Sequence, residues 1–96
     1  MRIRLSAAAR RVLSEIWSFT ARHWDRNQAD RYLRLLAGSF DGLAHGTVRE
    51  RACEEIHAGY FELSVGAHRI FYRLDPSNEI QIVRILHRSM DVERHL

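Results

Sequence analysis

The last third of the chain most constrains what it can fold into. Val65 to Arg73 and Ile80 to His87 are two runs dense in β-branched and aromatic residues, separated by Asp75-Pro76-Ser77-Asn78. Such runs around a Pro/Ser/Asn turn read as a β-hairpin on turn chemistry alone. Arg69, Arg73 and Arg84 interrupt the apolar strands, and His87, Arg88, Arg94 and His95 follow in the tail. A charge set in an apolar strand has to be paired or directed at a partner. The segment is therefore both core and surface, and it is where function is sought first.

The upstream residues say what packs on that hairpin. Arg2 to Leu5 alternates polar and apolar, the period of a short strand. Ser6 is placed to cap a helix. From Ala7 to Trp24 the apolar positions Ala9, Val12, Leu13, Ile16, Trp17, Phe19 and Trp24 recur at helical spacing, which assigns Trp17, Phe19 and Trp24 to the core or the helix–helix interface. Asp25-Arg26-Asn27 breaks the pattern, and Asn27 with Asp30 offers a capping arrangement. A second helix runs from Gln28 to about Ala44 with Ala29, Tyr32, Leu33, Leu36, Phe40 and Leu43 on one face, ended by His45 and Gly46. Residues 46–58 read as a loop with a solvated cluster of Arg49, Glu50, Arg51, Glu54 and Glu55. Tyr60 to Val65 is a strand, Gly66-Ala67 a tight turn, His68 to Leu74 the third strand and Glu79 to His87 the fourth. The fourth is apolar on both faces and so is expected in the centre of the sheet. The fold class is α+β, in the order β-α-α-β-β-β: one domain over residues 1–96, an antiparallel sheet with a helical hairpin packed on one face.

Composition narrows the chemistry. All fifteen basic residues are arginine, so anion contacts come from a planar, permanently charged fork and a lysine base is excluded. The net charge of +3 is compatible with an acidic partner or with nucleic acid. No apolar run approaches the roughly 18–20 residues of a membrane span, and the N-terminus lacks a signal-peptide core. The lone Cys53 excludes an internal disulfide and reads as a small hydrophobe. The expectation is a cytoplasmic protein with no membrane partner. His23, His45, His57 and His95 lack paired ligand spacing, so neither a metal nor another cofactor is expected. His68, beside the tight turn, reads as a hydrogen-bonding residue. Arginine cannot act as a base, and no catalytic residue is assigned. Tyr60, Phe61, Phe71 and Tyr72 interleave with arginine as base-stacking platforms do, yet strand alternation sends about half of them into the core. In the tail, Leu86 and Met90, with Val92, are expected to anchor the segment, leaving Arg88 and Arg94 for a partner.

The residues Ile16-Trp17-Ser18-Phe19-Thr20, Gln28-Ala29-Asp30-Arg31-Tyr32, Gly59-Tyr60-Phe61, Ile70-Phe71-Tyr72-Arg73 and Arg84-Ile85-Leu86-His87-Arg88-Ser89-Met90-Asp91, in this order, resemble the ParE branch of the RelE/ParE superfamily. These are toxins of bacterial type II toxin–antitoxin modules, associated with plasmid stabilisation. The closing Leu86-His87-x-x-Met90-Asp91 is the most specific part, and the resemblance spans essentially the whole chain. It implies a toxin that inhibits DNA gyrase, associates with DNA indirectly, and is neutralised by a ParD-like antitoxin in a hetero-oligomer. On that basis Arg69, Arg73, Arg84, His87, Arg88 and Arg94 are the candidates for target inhibition. Two alternatives stand beside it: a RelE-like ribosome-dependent mRNA endonuclease, and a non-toxic homologue that only binds antitoxin. RelE-like nucleases often use a C-terminal tyrosine, whereas here no tyrosine follows Tyr72.

Overall fold

The computed structural model describes residues 1–46, 51–52 and 59–95. In chain order the elements are β1 (Ile3–Leu5), α1 (Ala7–His23), α2 (Arg26–His45), β2 (Arg51–Ala52), β3 (Phe61–Val65), β4 (His68–Leu74), β5 (Ile80–His87) and α3 (Val92–His95). The strands form one sheet in the order β1-β5-β4-β3-β2. The fold is α+β, as expected, but the sheet is mixed rather than antiparallel. β1 runs parallel to β5, with Ile3 opposite Ile80 and Leu5 opposite Ile82. The alternation in Arg2–Leu5 makes a strand; its direction is set by the helical hairpin, which carries the chain away before the other strands are laid down. β4, not β5, occupies the middle of the sheet. β5 lies between β1 and β4, with Ile80, Ile82 and Ile85 under the helices and Leu86 packed on the other face with Phe71 and Val92. The expected loop over 46–58 lies mostly outside the described residues, as do Arg49, Glu50, Cys53, Glu54, Glu55 and His57, while Arg51–Ala52 pairs with β3 as a short strand.

Local chemistry accounts for the helix ends. Ser6 Oγ accepts from the Ala9 N–H at 2.9 Å and donates to the Val83 carbonyl at 2.7 Å, so one side chain caps α1 and ties it to the sheet. The α2 cap is Asp25, not the expected Asn27–Asp30 arrangement. Asp25 has an extended backbone, and its carboxylate accepts from the Gln28 N–H at 2.7 Å. A cap has to precede the first helical residue, and α2 begins two residues earlier than its apolar period suggests. Asp30 is instead the acceptor for Trp17 Nε1 at 2.9 Å, which joins the two helices. Gly46 closes α2 in the left-handed conformation, φ 70°.

The two faces of the sheet are buried differently. Leu63, Ile70, Tyr72, Ile80, Ile82 and Ile85 pack with Ala9, Leu36, Phe40 and Leu43 beneath the helices. At roughly 1.5–3 kcal/mol for each large side chain fully buried, this face dominates stability. On the opposite face Phe71, Leu86 and Val92 form a smaller cluster with Tyr60 beside it. Val92, not Met90, therefore joins Leu86 in holding the tail; Met90 is 38% exposed. Between β4 and β5 the register passes from Phe71–Arg84 to Tyr72–Ile82, a bulge that leaves Val83 extra. Its carbonyl is the one that receives Ser6 Oγ. Among the described residues no helix is long and apolar enough to cross a membrane.

Candidate functional site

A cavity of about 730 Å³ opens between the helical hairpin and the end of the sheet. Ile16, Phe19 and Trp24 contribute from α1 and its exit, Tyr32 from α2, His68 from β4 and Met90 from the tail. The rim is apolar and open to water. Trp24 is 76% exposed and Phe19 54% exposed, with Phe19 stacked on His23 at a ring separation of 4.0 Å. This corrects the assignment of Phe19 and Trp24 to the core. The α1 stripe of Ala9, Val12, Leu13 and Ile16 fills the sheet side first, and Phe19 and Trp24 fall past its edge. Trp17 does sit at the helix–helix interface through Asp30.

The cavity floor is a polar chain drawn from three elements. Tyr32 Oη lies 2.6 Å from His68 Nδ1 and accepts from the Ala67 N–H at 3.0 Å. His68 and His87 are cross-strand partners whose rings meet edge to face, 5.5 Å apart. Burial, and secondarily the neighbouring His87, hold the His68 pKa below the ordinary imidazole value. His68 is thus the hydrogen-bonding residue expected from its place beside the Gly66-Ala67 turn. Tyr32 was legible only as an apolar-face residue of α2. Its hydroxyl gains a role because the β3–β4 turn is brought against it.

The six candidate inhibitory residues do not form one cluster. Arg69 is internally engaged: its Nε donates to Glu62 Oε1 at 2.6 Å, and its guanidinium lies 5.3 Å from the Phe71 ring centroid. Glu62, a buried acid that sequence patterning did not single out, is only 8% exposed. Arg73 is exposed and donates to Gln81 at 3.1 Å. Arg84 donates to the Val83 carbonyl and, with His87, lines the cavity. Arg88 is exposed, with its backbone N–H bonded to the Ala67 carbonyl. Arg94 is exposed and 4.0 Å from Asp91. Among the described residues no group of three or more His, Cys, Asp or Glu is arranged to hold a metal ion.

The sequence model of the ParE toxin of the type II toxin–antitoxin system parDE matches residues 3–92. The chain belongs to the ParE toxin family. It is 46% identical over 92 residues to Toxin ParE1 of Mycobacterium tuberculosis, covering 96% of this chain and 94% of that one. Toxin ParE1 of Caulobacter vibrioides is 33% identical over 93 residues, covering 97% and 95%. Among solved structures, the chromosomal ParDE toxin–antitoxin system of P. aeruginosa superposes with a TM-score of 0.76 at 19% identity, over 91% of this chain and 95% of that one. The RelBE2 toxin–antitoxin complex of Mycobacterium tuberculosis gives 0.66 at 24% identity, over 91% and 96%. At these identities the superpositions speak to the fold alone. The family match takes in both walls of the cavity, from Ile16 to Met90.

Proposed function

We propose that this ParE-family toxin inhibits DNA gyrase by binding, without a covalent step of its own, and that a ParD-like antitoxin neutralises it by laying an amphipathic segment into the cavity between hairpin and sheet. The observation that carries the antitoxin site is the open apolar rim of Phe19, Trp24 and Met90 above a floor held in place by the Tyr32–His68 contact. An open apolar groove of this kind takes the apolar face of an amphipathic helix, read on the helix as i, i+3/i+4 anchors. The gyrase assignment rests on membership of the ParE family. Binding rather than catalysis is supported by the state of the polar groups: Arg69 is committed to Glu62, and Nδ1 of His68 is engaged by the Tyr32 hydroxyl. The exposed cations Arg73, Arg88 and Arg94 are the surface offered to the target.

The deciding experiment pairs two assays on the purified toxin. Supercoiling by gyrase should be blocked while ribosome-bound message stays intact, and added ParD-like antitoxin should restore supercoiling. Cleavage of message with normal supercoiling would instead establish the RelE-like alternative.

A further inference from the structure

The hydrogen bonds around the two floor imidazoles point to one tautomer for each. Ser89 places its backbone N–H 3.2 Å from His87 Nδ1, with its hydroxyl at 2.7 Å. A backbone N–H can only donate, so Nδ1 of His87 accepts and the neutral ring carries its proton on Nε2. Tyr32 has one proton and two acceptors in view, His68 Nδ1 at 2.6 Å and the Val65 carbonyl at 3.5 Å. The shorter bond takes it, and the Ala67 N–H fills a lone pair on the phenol oxygen. His68 therefore also carries its proton on Nε2. Two N–H donors thus border an apolar cavity, and among the described residues neither has an acceptor. The cavity walls carry a single carboxylate, Glu15, on a chain of net charge +3.

Donors beside a desolvating apolar surface call for an acceptor that arrives with the ligand. We infer that the His68–His87 pair seats an aspartate or glutamate of the antitoxin segment, whose apolar side chains cover Phe19 and Trp24. This rests on the reading of the cavity as the antitoxin site and adds the chemistry of the segment. The carboxylate sets the register of an otherwise slippery apolar contact, because an acid placed one helical turn away would meet Phe19 or Trp24 instead.

The test is a double-mutant cycle by calorimetry, using the full chain and a synthetic peptide of the ParD-like antitoxin's C-terminal half. Each peptide Asp→Asn and Glu→Gln variant is titrated against the parent toxin and against His87→Ala, a change at an exposed side chain that should not disturb folding. One acidic position should weaken binding to the parent about tenfold, the loss expected for a hydrogen bond to a charged group, and weaken binding to His87→Ala hardly at all. The same position should couple to His68→Gln. If every amide variant acts equally on parent and His87→Ala, or none acts on either, the carboxylate seat is overturned. Phe19→Arg separates this from failure of the groove itself. Lost binding with no coupling removes only the carboxylate, whereas undiminished binding to Phe19→Arg removes the groove and the carboxylate together.

Discussion

Replacing Gly66 with alanine tests whether the Tyr32–His68 chain is built by close packing of the β3–β4 turn. Gly66 has φ +55°, and a Cβ there would stand 2.7 Å from Tyr32 Oη and 2.8 Å from Cε1. Gly46 provides the internal control: φ is +70°, yet nothing lies within 4 Å of its Cβ position. Both substitutions carry the left-handed cost of an L residue, about 1 kcal/mol. Gly46→Ala should cost about that and no more. Gly66→Ala must also push Tyr32 aside, which gives up its contacts with the Ala67 N–H and His68 Nδ1. At about 1 kcal/mol for each hydrogen bond, the total is about 3 kcal/mol. For a domain of this size each kcal/mol moves Tm by roughly 4–8 °C. Thermal and urea unfolding should therefore separate the two variants by about 10 °C or more. In a Tyr32→Ala background the cost of Gly66→Ala should fall to that of Gly46→Ala. Equal costs for the two glycines in the parent background would refute the argument, since Tyr32 would then yield freely and its hydroxyl would not be a constrained part of the floor.

The arginines should divide by what they touch. Arg69→Ala leaves the buried Glu62 carboxylate, whose Oε2 already lacks a hydrogen-bond partner among the described residues, without its guanidinium; it should cost about 3 kcal/mol in urea unfolding. Arg88→Ala with Arg94→Ala should change stability by about 0.5 kcal/mol or less while abolishing growth arrest, and arrest equal to the parent's would show that the tail is not the inhibitory surface. Stability should also depend on pH through His68. Its native pKa lies below the ordinary 6.5, so in that window the unfolded chain binds the proton first and stability falls as pH drops from about 6.5 through the depressed value. Above 6.5 the contribution is fully present, and in His68→Gln the decline should flatten; an unchanged slope would mean that other groups carry it.

Much of this fold is written in short-range chemistry. The Ser6 cap, the Gly46 stop, the period of α1 and α2 and the bounds of His68–Leu74 follow from residues within a turn or two of one another, because capping, helical period and turn conformation are local properties. The identity of the family was legible for the same reason, through Leu86-His87-x-x-Met90-Asp91 in its strand-end context. Asp25 shows where local reading falters: Asp25 and Asn27 could each cap α2, and only the backbone path selects one. The parallel pairing of β1 with β5 was not written locally at all. It joins Ile3 to Ile80, and that choice belongs to how the hairpin closes over the sheet. Exposure was likewise decided by assembly, since Phe19 and Trp24 are as apolar as their buried neighbours and lie outside only because the sheet is already covered. The same holds for the charges. Arg69 and Glu62 become a pair when the β3–β4 register sets them diagonally on one face, and Tyr32 reaches His68 across 36 residues. Sequence specifies which groups can donate, accept or bury; tertiary packing decides which of them meet, because long-range contacts form only once competing surfaces have been removed from water.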